Sequence, residues 1–199
     1  MLHADDVELR ILGCLVEKQR TTPDQYPLSL NALRLACNQT TNRDPVVDYD
    51  EGLIRPSLTR MSERGWVRLA SGPGSRAIKY RHMLDEQLEV SPSELALLAV
   101  LMLRGAQTPG ELKQRVERLY SFPSLADLEA TLDRLATREL VERLERRPGQ
   151  KEVRYRHCLA ASAGVQQAEE RIEPLLTDAM DARLAALEER VRVLEDRFS

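Results

Sequence analysis

The feature that most constrains this chain is an internal repeat, because the same spaced residues occur twice. In the first repeat, Glu8-Leu9 leads to Thr22-Pro23, and Pro73-Gly74 leads to Lys79-Tyr80-Arg81-His82. In the second repeat, the same spacings connect Glu94-Leu95 with Thr108-Pro109, and Pro148-Gly149 with Arg154-Tyr155-Arg156-His157. Two copies of a unit this long predict two small domains of similar fold.

Apolar spacing and capping residues predict one order of elements in each repeat. In the first repeat they predict a helix at 5–18, a second helix capped by Ser29, and a third from Asp48 or Asp50 to Arg64-Gly65. Strands at 66–69 and 77–81 follow, joined by a turn at 71–74. Three helices and then a two-stranded hairpin is the order of a winged helix-turn-helix. The predicted fold class is therefore mainly α with small β-hairpins (α+β).

The third helix of the first repeat carries both a buried stripe and a proline. We predict that Leu53, Leu58 and Met61 face the core. Pro56 lies inside the pattern and lacks a backbone N–H, so it predicts either a kink or a helix that begins later.

Helix starts are marked more clearly in the second repeat. Ser91-Pro92 opens its first helix, and Thr108-Pro109-x-Glu111 is a capping box that opens the second. Ser124 begins the third helix, whose inward positions are Leu128, Leu132 and Leu135.

These patterns divide the chain into four parts. We predict tandem winged helix-turn-helix domains at residues 1–84 and 90–160, a linker at 161–176 and a C-terminal amphipathic helix at 177–199. The apolar residues of that helix have the heptad spacing of a coiled coil. We predict a homodimer through this seam, formed by Met180, Leu184, Leu187, Val191, Leu194 and Phe198. The alternative is a helix folded back on its own domain, because three heptads are short for an independent coil.

Charge and composition limit the partners. The formal net charge is −3, whereas DNA-binding domains usually present a clear basic surface. Residues 1–83 sum to +2, residues 84–160 to −1 and residues 161–199 to −4, so a DNA-binding surface has to be local. No stretch approaches the roughly 20 apolar residues that span a bilayer. Three widely spaced cysteines fit a reducing compartment, and we expect a cytoplasmic protein without membrane contact.

The first repeat supplies the predicted DNA-binding surface. A winged helix reads DNA with its third helix in the major groove and its wing over the phosphates. The candidate residues are Arg55, Ser57, Arg60 and Arg64 on the third helix, Arg76 and Lys79 in the wing, and Asn38, Gln39, Thr41, Asn42 and Arg43 in the preceding loop. Arginine suits both phosphate and guanine. The alternative is a solvated face with Asn and Thr in capping roles.

The second repeat is a weaker DNA-binding candidate. Its third helix carries Asp127, Glu129 and Asp133, which phosphate would repel. Its wing carries Arg146, Arg147 and Lys151, which suit nonspecific contact with the DNA backbone. A protein-binding surface is an equal expectation there.

Catalytic signals are weak. His82 and His157 occupy matching repeat positions at strand ends, which a duplicated sheet explains. No phosphate-binding glycine loop, nucleophile elbow or zinc-protease motif occurs. We expect a protein that is not an enzyme and that holds no cofactor or metal.

Several long strings resemble the YceH-like family of uncharacterised bacterial proteins. They are Glu17-Lys18-Gln19, Thr21-Thr22-Pro23-x-Gln25-Tyr26-Pro27-Leu28-Ser29-x-Asn31, Ala36-Cys37-Asn38-Gln39-x-Thr41-Asn42-Arg43-x-Pro45-Val46 and Arg104-Gly105-Ala106-Gln107-Thr108-Pro109-Gly110-Glu111-Leu112. The resemblance implies tandem winged helices in a bacterial cytoplasmic protein. The segment 36–46 is its most distinctive part and our first choice for a functional surface.

Two functions follow as expectations. The first is a dimeric winged-helix DNA-binding protein, a transcriptional regulator whose first repeat makes the main contacts. The alternative is a protein-interaction scaffold with the same fold, of the kind found among chromosome-segregation accessory subunits. One continuous positive face spanning both third helices and wings would favour DNA, and mixed charge with an exposed apolar groove would favour a protein partner.

Overall fold

The structure is a computed structural model that describes residues 3–70, 78–146 and 152–160. Within these ranges the chain forms seven α-helices and five short strands, an α+β fold of the predicted class. None of these helices has both the length and the apolarity that a bilayer span requires. Both hairpin turns, the predicted linker and the heptad helix with its dimerisation residues lie outside the described residues, as do Arg76, Arg147 and Lys151.

The first repeat combines three helices with a three-stranded sheet. Its helices are α1 (Asp6–Thr21), α2 (Leu30–Cys37) and α3 (Glu51–Glu63), and its strands are β1 (Leu28–Ser29), β2 (Val67–Ala70) and β3 (Lys79–His82). A 3-10 turn at Pro23–Gln25 precedes β1. The strands pair antiparallel in the order β1-β3-β2, and Leu28 lies opposite Tyr80.

The second repeat has the same order of elements. After the short α4 (Leu84–Leu88) come α5 (Pro92–Arg104), α6 (Pro109–Val116), α7 (Leu125–Thr137), β4 (Val141–Leu144) and β5 (Arg154–His157). Strands β4 and β5 pair antiparallel. Gln107 forms an isolated antiparallel bridge to Tyr155. Gln107 thus takes the position opposite Tyr155 that Leu28 of β1 takes opposite Tyr80 in the first repeat.

Capping contacts within a few residues fix the helix starts. Ser29 Oγ accepts from the Ala32 N–H (3.3 Å), and Asp50 Oδ1 accepts from the Leu53 N–H (2.8 Å). Thr108 and Glu111 form both hydrogen bonds of the predicted capping box. These starts are confirmed, and Asp50 rather than Asp48 caps α3.

The buried stripe of α3 differs in one residue from the prediction. Leu58 and Met61 are buried as expected, but Leu53 is 45% exposed and Ile54 is buried in its place. Successive helical residues are rotated by about 100°, so residues 54, 58 and 61 share a face from which residue 53 turns away. The helix begins at Glu51 and includes Pro56, so it does not start later.

One hydrophobic core runs through both repeats, and the described residues belong to one compact unit. Helix α1 packs against α5. Gly13 permits this approach, because a Cβ there would lie 2.8 Å from Leu103 Cγ and 3.3 Å from Met102 Cβ. Leu84, the last residue of the first predicted domain, is also buried in the shared core. The sequence repeat therefore folds with a joint interior.

Two histidines at equivalent positions are held neutral by their surroundings. Burial lowers the pKa of His82 to about 4, and it does the same for His157. His82 Nε2 lies 2.8 Å from Gln19 Oε1, while Nδ1 accepts from the Leu84 N–H (3.3 Å). His157 Nδ1 accepts from the Leu159 N–H in the same way (3.4 Å). This pattern fits neutral rings, with the proton of His82 on Nε2.

Substituting Gly13 tests the helix crossing. Gly13→Ala should lower the free energy of unfolding by about 1–3 kcal/mol, because the new methyl group overpacks the contact with Leu103. Gly110→Ala is the matched control, since its Cβ would meet only Thr108 Oγ1 at 4.0 Å. Urea unfolding measures both, and a Gly13→Ala protein as stable as wild type would contradict the close crossing.

The two buried histidines should make the stability of the folded protein sensitive to acid. Their folded pKa of about 4 lies below the ordinary 6.5, so the unfolded chain binds more protons between these values. The stabilisation is complete above about pH 6.5 and is lost as pH falls towards 4, by up to about 1.4 kcal/mol per pH unit for each ring. Urea unfolding from pH 7 to 5 should show a shallower loss for His157→Gln than for wild type. Equal slopes would contradict the neutral buried ring.

Candidate nucleic-acid interface

The predicted recognition helix α3 turns two of its arginines towards the start of α1. Arg60 Nε lies 3.0 Å from Glu8 Oε1, and Arg60 Nη2 lies 2.6 Å from Asp5 Oδ2. Arg64 Nη1 lies 3.2 Å from Glu8 Oε2, and its guanidinium stacks over the Trp66 ring at 4.9 Å. Glu8 is buried, so both arginines are engaged with carboxylates inside the domain.

The second repeat contains the same contact at equivalent positions. Arg134 on α7 lies 3.8 Å from Glu94, which is the capping-box glutamate of α5 as Glu8 is of α1. Arg60 and Arg134 each lie nine positions after the first residue of their helix, which is Glu51 in α3 and Leu125 in α7. An ion pair that occurs in both repeats, including the one with an acidic third helix, serves the fold.

Ser57, another predicted DNA contact, is buried in the first repeat. Its hydroxyl donates to the Leu53 carbonyl (3.1 Å) and accepts from Arg60 Nη2 (3.2 Å). The predicted role of Ser57 in DNA binding is therefore inconsistent with its burial.

Arg43 is the clearest departure from the predicted surface. Its side chain is fully buried and lies against Glu17, with Nη2 2.6 Å from Oε2 and Nη1 3.3 Å from Oε1. It also donates to the Ala36 carbonyl from Nε (3.1 Å) and to Gln39 Oε1 from Nη2 (3.0 Å). A guanidinium held in this way cannot reach a phosphate, so the predicted DNA contact by Arg43 does not fit the structure.

The rest of the polar loop, residues 38–50, connects elements of the fold. Asn38 closes the loop, because its Nδ2 donates to the Tyr49 carbonyl (2.8 Å) and its Oδ1 accepts from the Tyr49 N–H (2.9 Å). Asn42 Oδ1 accepts from Arg104 Nη1 (2.8 Å), and the Asp44 N–H donates to the Leu103 carbonyl (2.9 Å). The loop thus docks on the end of α5 in the second repeat.

Some predicted residues do remain at the surface. Thr41, Arg55 and Arg146 are exposed, and Lys79 and Gln39 are half-buried. Arg55 forms an exposed ion pair with Glu51 (3.4 Å).

The outer face of the β2–β3 hairpin is basic, and only Lys79 among its residues is a predicted DNA contact. Arg68 lies directly opposite Arg81, and Lys79 lies opposite Ala70. Because side chains alternate along a strand, Arg68, Lys79 and Arg81 share the face opposite the buried Tyr80. We call these three residues the basic hairpin face. Arg81 has Glu86 at 3.6 Å, and Arg68 has no ion pair among the described residues.

The hairpin of the second repeat is neutralised at the same places. Glu142 lies opposite Arg156, where the first repeat has Arg68 opposite Arg81, and Arg156 Nε donates to Glu142 Oε1 (2.6 Å). Arg154, the counterpart of Lys79, lies 3.0 Å from Glu111. The two repeats therefore share a hairpin but differ in its charge.

Most of the exposed large apolar side chains among the described residues belong to the first repeat. Leu35, Val46, Leu53, Leu69 and Ile78 each have about half of their surface exposed. Leu69 lies opposite Tyr80 on the inner face of the hairpin, beyond the edge of the core. Mixed apolar and basic surface is the feature that also suits a protein partner.

Comparison with known proteins gives the family of the chain. The family described as "Protein of unknown function, DUF480" matches residues 4–150. A UPF0502 protein of Opitutus terrae is 47% identical over 188 residues, which cover 92% of this chain and 82% of that protein. A UPF0502 protein of Shewanella amazonensis is 44% identical over 201 residues, with coverage of 98% and 95%. The UPF0502 protein YceH of Escherichia fergusonii is 42% identical over 198 residues, with coverage of 96% and 92%. The resemblance to the YceH-like family is thereby confirmed.

Substitution of Arg43 tests whether it acts inside the fold. Arg43→Gln should lower the free energy of unfolding by about 3 kcal/mol, because it breaks a buried ion pair and leaves Glu17 with less compensation. Arg55→Gln is the control and should change stability by no more than about 0.5 kcal/mol, since its pair with Glu51 is exposed. Chemical unfolding compares the two variants. Equal stability of Arg43→Gln and wild type would refute the structural role.

Proposed function

The chain belongs to the DUF480 family, and we propose that it is a tandem winged-helix protein that binds DNA through its first repeat. The support for the winged-helix architecture is the order of elements, which is the same in both repeats. The sheet order β1-β3-β2 and the matching bridges to Tyr80 and Tyr155 support it further.

The observation that carries the DNA proposal is the net positive charge of the basic hairpin face, on which Arg81 has Glu86 at 3.6 Å while Arg68 and Lys79 have no ion pair among the described residues. Like charges directly opposite each other destabilise a strand pair. The second repeat avoids this cost with Glu142 opposite Arg156, whereas the first repeat sets Arg68 against Arg81. A phosphate backbone lying along the hairpin would relieve this repulsion, since contacts of arginine and lysine with phosphate dominate nonspecific DNA affinity.

The proposal assigns different tasks to the surface residues of the first repeat. Arg68, Lys79 and Arg81 bind phosphates, as a wing does in this fold. Arg55 and Thr59, which are exposed on α3, face the groove. Arg60 and Arg64 hold α3 against α1 and are no longer among the proposed DNA contacts.

The second repeat supports the first instead of reading DNA itself. Its helix α7 exposes Asp127, Glu129 and Asp133, and its hairpin residues Arg156 and Arg154 are paired with Glu142 and Glu111. One DNA-contacting module per chain suits a homodimer on two half-sites, for which the predicted heptad helix would provide the contact. On this basis we propose a cytoplasmic regulator rather than an enzyme.

A protein-interaction scaffold is the second candidate. It is favoured by the exposed apolar residues of the first repeat, above all Leu35, Val46 and Leu53. In that case the same surface would show no salt-dependent affinity for DNA.

Replacing Arg68 by the residue of the second repeat gives the sharpest test. Arg68→Glu should keep the fold, because it recreates the arrangement of Glu142 opposite Arg156. It should weaken DNA binding and reduce the slope of log affinity against log salt by about 0.9 for each phosphate that the variant no longer neutralises. Filter binding to genomic fragments between about 50 and 200 mM salt measures this slope. Arg143→Glu is the control, since it makes the same charge change on an exposed strand residue of the other hairpin.

Two results would count against DNA binding. One is a wild-type protein that does not bind DNA at about 50 mM salt, or binds it without salt dependence. The other is equal DNA affinity in Arg68→Glu and Arg143→Glu.

A further inference from the structure

We propose a binding site for a small phosphate-type anion in the cleft where the polar loop of the first repeat meets α5 and α6 of the second. The cleft is open to solvent, and its cavity volume is only about 10 Å³. Its polar lining consists of Asn42, Arg104, Arg115, Arg118 and Glu17. Drug-sized ligands need pockets of roughly 300–1,000 Å³, so this cleft suits only a small anion that binds at its open mouth.

The cleft holds more positive than negative charge. Three arginines line it, and Glu17 is the one carboxylate among the described residues of its lining. Glu17 is already shared between the buried Arg43 and Arg118. Arg104 and Arg115 therefore account for the surplus of positive charge at this place in a chain whose net charge is −3.

The remaining partners of these two arginines are weak. Arg104 donates from Nη1 to the neutral amide oxygen of Asn42 (2.8 Å) and has no carboxylate within ion-pair distance among the described residues. Arg115 has Glu111 at 3.8 Å, and Glu111 lies closer to Arg154 (3.0 Å). Both guanidinium groups are half-buried and keep unused N–H donors.

The neighbouring cations affect the pKa of Arg104. Burial lowers its pKa, and Arg115, Arg118 and Arg43 lower it further, while Asp44 opposes them. A bound anion would reverse the repulsion among these cations. The position of Arg104 in the last turn of α5 suits the helix dipole. The ion pair with Glu17 accounts for the place of Arg118, whereas Arg115 has only Glu111 at 3.8 Å.

The donors at the cleft select the class of ligand. Guanidinium groups present a planar fork that matches the oxygens of phosphate. Because Asn42 Oδ1 accepts from Arg104, its Nδ2 is a donor, and it makes no hydrogen bond within the described part of the chain. Two to three arginines and an amide N–H suit a tetrahedral dianion, either free phosphate or a phosphomonoester. Such a ligand would bridge the two repeats.

Thermal unfolding of the full chain tests this site with inorganic phosphate as the probe. Phosphate should raise the unfolding midpoint above that in sodium chloride of equal ionic strength, because a ligand that binds the folded state stabilises it by mass action. Arg115→Gln removes a cleft donor while breaking only the 3.8 Å pair with Glu111. It should weaken phosphate binding by about tenfold or more, which is the effect of losing a charge-assisted hydrogen bond.

Arg134→Gln is the matched control, because Arg134 also has its ion-pair partner at 3.8 Å but lies on α7, away from the cleft. It should bind phosphate as wild type does. Isothermal titration with Arg104→Gln gives a second measurement that does not depend on the stability of the variant. A nucleoside monophosphate in place of phosphate separates the two sources: tighter binding indicates a phosphomonoester, and equal binding indicates the free anion.

The proposal is overturned if phosphate gives no stabilisation beyond chloride, or if Arg115→Gln and Arg134→Gln bind it equally. It stands apart from DNA binding, because Arg68→Glu should leave phosphate binding unchanged. Failure of either proposal is thus distinguishable from failure of the other.

Discussion

The close crossing of α1 and α5 is the contact on which the rest of the structure depends. Gly13 leaves the space that the Leu103 side chain and Met102 Cβ occupy, so α5 packs directly against the backbone of α1 where the two helices cross. A unit of this size buries only about 60% of its unfolded surface when it folds alone. The shared core lets each repeat bury additional apolar surface against the other. The Asp44 N–H donates to the Leu103 carbonyl and so adds a polar contact at the same junction.

Comparison of the two repeats separates arginines that hold the fold from those available for binding. The contact between third helix and capping glutamate occurs as Arg60 with Glu8 and again as Arg134 with Glu94. The cross-strand pair differs, since Arg68 in the first repeat corresponds to Glu142 in the second. The ion pair that occurs in both repeats stabilises the fold. A position at which the repeats differ in charge, such as Arg68, is instead available for binding.

Much of the fold was predictable from sequence because its signals are local. Ser29 and Thr108 cap helices through atoms three residues away, and apolar spacing identified most of the core. The site was less predictable, because Arg43 meets Glu17 across 26 residues and Arg60 meets Glu8 across 52. A buried arginine and an exposed one look alike in sequence. The available signal was the repeat itself, which places Arg60 and Arg134 at equivalent positions, each facing a capping glutamate.

The glycine at the helix crossing also makes the two repeats unequal partners. Its counterpart in the second repeat is Ala99, which carries the methyl group that Gly13 lacks. Two second-type repeats brought together in the same way would place that methyl group against the leucine that now fills the gap. The close crossing therefore requires that a first-type repeat meets a second-type repeat.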